Sequence, residues 1–186
     1  MQPFAIGAAL AERIEGATMS PSDGGSFARA TVDVPPERWV AAATAARDEC
    51  GCDFFDWLCA VDELAEGFSV VAHLWSTQRR QGVLLRTRVP ALDPCLASLV
   101  GVYTGAAWPE RETYEMFGIG FPGPLEPLLL PPEFEGHPLR KDFILASRVA
   151  KPWPGAKEPG ESHEPKAPKR PTLRPPGVPA PGEWGS

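Results

Sequence analysis

Proline placement restricts this chain more than any other feature. Of the 23 prolines in 186 residues, ten fall in residues 151–186 and five more in residues 121–133. Proline fixes φ and removes a backbone donor, so such stretches favour extended polyproline II geometry and cannot supply helix or sheet ladders. A packed core must therefore come from upstream. With 43% hydrophobic and 23% charged residues the chain has ordinary globular composition and room for one domain. The organisation expected is a folded domain over residues 1–120, an extended docking segment over 121–150, and a proline-rich tail over 151–186. That tail is extended or without fixed structure unless it lies on a partner.

Within residues 1–120 the apolar periods alternate between helix and strand. Residues 4–14 carry apolar side chains at near-helical spacing, with Gly16 placed to end a helix. Residues 27–34 alternate Ala28, Ala30, Val32 and Val34 with Arg29, Thr31 and Asp33, the period of a half-buried strand. Pro35 and Pro36 stop that strand and suit the first turn of a helix that Trp39, Val40, Ala43 and Ala46 continue. Residues 54–61 fit a strand or a short helix. In residues 67–75, Phe68, Val70, Ala72 and Leu74 face one way and Ser69, Val71, His73 and Trp75 the other, so a central strand is expected. Residues 81–89 make its antiparallel hairpin partner, and residues 92–103 read as a short helix starting near Asp93 and Pro94. No regular βαβ rhythm runs through these elements. The fold class is thus α+β, a two-layer sandwich of a mixed, largely antiparallel sheet with helices.

Charge and cysteine usage exclude several functions. The formal net charge is −6, but residues 151–186 hold six Lys or Arg against four Asp or Glu, which leaves the body at −8. That argues against nucleic-acid binding, which needs clustered cations, whereas the tail suits an acidic partner surface. No run approaches the roughly eighteen apolar residues of a membrane span. Residues 1–11 lack the basic start and cleavage site of a secretory signal. A cytoplasmic chain that meets the membrane only through a partner is expected. Cys50, Cys52, Cys59 and Cys95 match neither a zinc knuckle nor a Cys-x-x-Cys redox pair. They read as free, mostly buried thiols.

The densest motif is Trp108-Pro109-Glu110-Arg111-Glu112-Thr113-Tyr114-Glu115-Met116-Phe117-Gly118-Ile119. Pro109 suits the first helical position and Gly118 a C-terminal cap. On a helical wheel Arg111, Glu112 and Glu115 surround Trp108, while Tyr114 and Phe117 lie opposite with Glu110 beside them. Arg111 and Glu115 stand four apart and can pair. Three glutamates invite an acid–base reading, but no nucleophile or phosphate loop accompanies them. An ion-paired docking helix is the better account.

A second motif follows: Glu135-Gly136-His137-Pro138-Leu139-Arg140-Lys141-Asp142-Phe143. His137 has no partner at metal-ligand spacing. His73 reads as a satisfied strand residue, and His163 lies in the tail. Pro138 keeps His137 out of helix. Arg140, Lys141 and Asp142 read as a contact strip in which Arg140 can take a carboxylate in bidentate fashion.

The two motifs in this order resemble the signature of the 30 kDa subunit of proton-pumping NADH–quinone oxidoreductase, respiratory complex I. Looser likeness includes Ala60-Val61-Asp62, Phe68 to Ser76 and Trp108-Pro109, and covers roughly residues 27–150. The resemblance implies an α+β subunit of the hydrophilic arm, without a redox centre of its own. FMN, Fe–S clusters, NADH and quinone would belong to other subunits. It also implies docking onto the quinone-site (49 kDa-like) subunit and a small Fe–S-carrying subunit, at the cytoplasmic side of the cell membrane. The implied interface comprises Glu110, Arg111, Glu112, Tyr114, Phe117 and Gly118, then Gly136, His137, Pro138, Leu139, Arg140, Lys141 and Asp142. Between Phe121 and Pro131 the chain departs from the family pattern, lacking a histidine and an arginine pair. That leaves room for a related complex with another electron donor, such as ferredoxin, a deazaflavin cofactor or hydrogenase. Two rivals are an independent enzyme using the glutamates, and an adaptor presenting the Pro-x-x-Pro spacings at Pro168/Pro171 and Pro176/Pro179.

Overall fold

The computed structural model describes residues 4–144. The tail expected over residues 151–186 and the last part of the docking segment lie outside the described residues. Helix α1 (Ala5–Arg13) is followed by strands β1 (Thr18–Pro21) and β2 (Ala30–Asp33), helix α2 (Trp39–Asp48), strands β3 (Phe54–Asp62), β4 (Phe68–Ser76) and β5 (Gln81–Val89), and helix α3 (Ala107–Phe117). The strands form one sheet in the order β1-β2-β5-β4-β3. β2 runs parallel to β5 and the other three pairings are antiparallel. The architecture is the expected α+β sandwich, with β4 in the interior of the sheet.

All three helices lie on one face. That face is built by Leu58 and Ala60 of β3, Phe68, Val70, Ala72 and Leu74 of β4, Val83 and Leu85 of β5, and Ala30 and Val32 of β2, all buried in one core with Ile6, Leu10, Trp39 and Phe117. α2 places Trp39, Ala42, Ala43 and Ala46 against the core, each 0% exposed. α1 comes close enough at Gly7 that a methyl there would collide with the Ala30 side chain. Glycine is the residue that permits such an approach.

Two elements differ from expectation. β2 begins at Ala30 because Gly24 and Gly25, both at positive φ, turn residues 25–27 into a single 3-10 turn. Residues 92–103 do not form a helix. Their backbone donors go elsewhere: Leu96 N–H donates to Gly120 O (2.9 Å) and Leu99 N–H to the Glu110 carboxylate (2.6 Å). The helical spacing of Leu96, Leu99 and Tyr103 reports burial correctly, since all three are in the core. Tertiary acceptors outcompete the local ladder.

The four cysteines are free, but only Cys50 and Cys52 are buried, while Cys59 and Cys95 are exposed. Cys59 points away from the core with Trp57 and Val61, on the face of β3 that no helix covers among the described residues.

Candidate functional site

α3 follows a 3-10 turn at Thr104–Ala106, and Gly118 closes it in the left-handed conformation, φ 73°. Pro109 is the third helical residue rather than the first. This position loses no hydrogen bond, because N–H groups of the first turn have no acceptor inside the helix.

The last four carbonyls of an α-helix have no donor within it. In α3 each of them finds one. Gly118 N–H donates to Tyr114 O (2.7 Å), and His137 Nδ1 to Glu115 O (2.8 Å). Leu139 N–H donates to Met116 O (3.1 Å), and Arg140 Nε to Phe117 O (2.5 Å). A carbonyl only accepts, so Nδ1 of His137 carries the proton. The Arg140 guanidinium also lies 5.3 Å from the centre of the Phe68 ring, and His137 meets Tyr114 edge-on. A cation at this end of a helix is favoured by its dipole. Gly118 completes the fit: a Cβ there would stand 2.5 Å from His137 and 2.6 Å from Arg140. The second motif is therefore a clasp on the end of the first.

The clasp is tied to the sheet by Asp62. Its carboxylate accepts the N–H groups of Lys141 and Leu64, each at 2.8 Å. The Lys141 N–H above all, with Leu64 and the nearby cations, holds Asp62 below the ordinary carboxylate range against the opposing effect of burial.

The glutamates of α3 hold loops. Glu110, 3% exposed, accepts from the Ser98 hydroxyl (2.7 Å) and Leu99 N–H (2.6 Å). Burial pushes its carboxyl above the usual range, and those two donors only partly offset it. Glu115 accepts from the N–H groups of Leu128, Leu129 and Leu130. Burial pushes Glu115 up as well, but the three N–H groups outweigh it and the carboxyl lies low. Arg111 does not pair with Glu115 as its i,i+4 spacing suggests. It donates to the carbonyls of Glu126 and Pro127, both at 2.8 Å. Arg140 likewise takes a carbonyl and an aromatic face instead of a carboxylate.

Of the residues read as an interface, Glu110, Arg111, Phe117, Gly118, His137 and Arg140 are thus engaged within the chain. Glu112, Tyr114, Gly136, Leu139, Lys141 and Asp142 are exposed, and Pro138 is half-buried. Sequence reasoning missed Asp62 as an anchor, Ser98 as a partner of Glu110, and the three leucine N–H groups that receive Glu115. None of these is encoded by local spacing, because each pairing spans a dozen or more residues of chain.

No group of three His, Cys, Asp or Glu side chains among the described residues is placed to hold a metal ion, and no helix there is long and apolar enough to cross a membrane. Glu110 and Glu115 each accept backbone N–H bonds, an arrangement that suits loop anchoring.

Comparison with known proteins agrees with the motif reading. The family model described as the 30 Kd subunit of respiratory-chain NADH dehydrogenase matches residues 32–149. The C subunit of NADH-quinone oxidoreductase from Roseiflexus sp. (strain RS-1) is 44% identical over 123 residues, covering 63% of this chain and 71% of the relative. The joined C/D subunit of the same oxidoreductase from Methylococcus capsulatus is 48% identical over 91 residues, which is 48% of this chain and 16% of that longer protein. Among solved structures, a chain of the membrane-bound sulfane sulfur reductase, an archaeal respiratory membrane complex, superposes with a TM-score of 0.66 at 20% identity. The superposition covers 86% of this chain and 97% of that one, and it supports the fold. A family match over more than half the chain, joined to a relative covered over more than two thirds of its length, places it: this chain belongs to the family of the 30 kDa subunit of respiratory-chain NADH dehydrogenase, the C subunit of NADH-quinone oxidoreductase.

Proposed function

We propose that the chain is a non-redox structural subunit of the peripheral arm of a proton-pumping NADH–quinone oxidoreductase, at the cytoplasmic side of the membrane. It docks onto the quinone-site (49 kDa-like) subunit and a small Fe–S-carrying subunit, and leaves FMN, the Fe–S clusters, NADH and quinone to other chains. One observation carries this reading: among the described residues the sheet is covered on one face only. On the other face Phe54, Trp57 and Val61 of the edge strand β3 are 51%, 38% and 43% exposed, beside half-buried Val71, Trp75 and Leu84. A two-layer domain seldom leaves such a row of large apolar side chains in water, and contiguous exposed apolar surface marks an interaction site. Most charges on this face have partners: Arg86 pairs with Asp33, Arg88 with Glu66, Asp56 bonds the His73 ring, and the Arg29 guanidinium lies over Trp75. Covering it would strand few charges. The relative that joins C and D in one polypeptide supports the D subunit as a neighbour.

Gentle purification of the tagged full chain in mild detergent tests the proposal. The quinone-site subunit and the small Fe–S subunit should co-purify and be identified by mass spectrometry. Recovery of the chain alone, or of an isolated chain that carries its own Fe–S signal in electron paramagnetic resonance, would overturn it.

A further inference from the structure

α3 uses most of its polar side chains within the chain, and what it leaves outward forms a second surface. Trp108 is 68% exposed although the helix that carries it is fixed at both ends, through Glu110 near the start and through the four clasped carbonyls at the close. An exposed indole on a rigid support loses little conformational entropy when it is buried by a partner, which is why tryptophan dominates interface energetics. Trp108 also stands as a ridge between two grooves. The first, about 600 Å3, is lined by Thr104, Pro109, Glu112, Leu128 and Leu129. The second, about 440 Å3, is lined by Val100, Pro122, Pro124 and Leu125 over Glu110 and Arg111.

The two grooves differ in charge. In the second, Glu110 is answered by Ser98 and Leu99, and Arg111, held by two carbonyls, stands beside the exposed Glu126 of opposite charge. That groove balances its own charges and offers Val100, Pro122, Pro124 and Leu125 to an apolar side chain. In the first, Glu112 is exposed and has no hydrogen-bond or ion-pair partner among the described residues. It is the one acidic side chain in a groove otherwise lined by Thr104 and apolar groups, one helical turn beyond Trp108 on the same stripe. An occupant that fits both grooves must straddle the indole, lay an apolar side chain on Val100 and Leu125, and bring a cation to Glu112 along Leu128 and Leu129.

We infer that the Trp108 ridge is a docking site for a segment of another subunit that carries a lysine or arginine beside an apolar anchor. The inference rests on the docking role proposed above and adds a surface and a partner chemistry to it. Lysine and arginine suit the first groove because their aliphatic stems cover apolar surface while the head stays at the rim.

The test is competitive incorporation. Wild-type and variant full chains with different tags are co-expressed, the oxidoreductase is purified, and the two tags are quantified. Trp108→Ala should enter the complex roughly tenfold less than wild type, as expected for a hot-spot truncation, with an unchanged thermal melt because the side chain is exposed. Glu112→Lys should be disfavoured several-fold, since it sets like charges against each other. Glu12→Lys makes the same charge change at an exposed position of α1, at the opposite end of the sheet, and should compete equally. A photo-crosslinker, Trp108→p-benzoylphenylalanine, should join a Lys- or Arg-bearing peptide of another subunit. Equal incorporation of Trp108→Ala, improved incorporation of Glu112→Lys, or a crosslink to a second copy of this chain would overturn the inference. If wild type itself fails to enter any complex, the docking role falls instead.

Discussion

The α2 and α3 ends of the core are held by different chemistry. At the α2 end the contacts are hydrocarbon: Trp39 and three alanines press fully buried against β-strand side chains. At the α3 end they are directional. Glu110, Glu115, His137 and Arg140 bond to backbone groups, and Asp62 bonds the clasp to the sheet. Apolar packing tolerates volume-conserving change and is indifferent to pH. A helix tied down by carboxylates is not. The charged motifs of this chain therefore serve as joints within the fold.

Changes at the two ends should separate these behaviours. Trp39→Ala opens a large cavity in the hydrocarbon end, and a loss of about 3–5 kcal/mol in urea unfolding is expected, equal at pH 5 and pH 8. A loss below about 1 kcal/mol would show that α2 contributes little. Glu115→Ala strands three backbone N–H groups at the other end, and a loss near 3 kcal/mol is expected at neutral pH, with the loop at Leu128–Leu130 becoming exchange-labile. Arg140→Ala removes one bond to a helix carbonyl and the contact over Phe68, for about 1–2 kcal/mol. Reading Arg140 as part of a contact strip predicts that Arg140→Glu weakens assembly more than folding. Its position within the fold predicts a clear loss of stability in the isolated chain, which a denaturation curve decides. Trp57→Ser, on the uncovered sheet face, should change stability by less than about 0.5 kcal/mol.

Acid sharpens the contrast. Glu115 and Asp62 have folded values below their unfolded ones. Their stabilisation is present above the unfolded values and is lost as pH falls through the folded ones. Glu110 lies the other way, raised by burial, so its favourable contribution is present below its unfolded value and is lost as pH rises through the raised one. Stability should therefore decline on the acid side of the ordinary carboxylate range. Glu115→Gln should flatten that decline, and thermal melts recorded across the range check it. An unchanged acid slope in Glu115→Gln would mean that the three leucine N–H groups do not hold an ionised carboxylate.

Much of the fold is legible in residue order. Period-two alternation locates β4 and β5, Pro36 marks the turn into α2, and Gly118 marks the end of α3, because each signal is local. Residues 92–103 carry a real helical spacing and still do not form a helix, because their donors have acceptors at Gly120 and Glu110. The pairing of Arg111 with Glu115 fails for the same reason: the loop over residues 126–130 offers both side chains better-placed backbone partners. The two motifs are recognisable as a unit, but no spacing rule says that one closes the other.

The clasp also imposes an order in time. His137, Leu139 and Arg140 emerge from the ribosome some twenty residues after the carbonyls they satisfy, so the end of α3 is finished only by chain made later. Until then three backbone oxygens must stay hydrated, and the surface around Tyr114 stays open. A nascent chain halted before residue 137 would present that raw helix end to its surroundings. Synthesis of residues 137–140 thus sets the moment at which the end of α3 is complete.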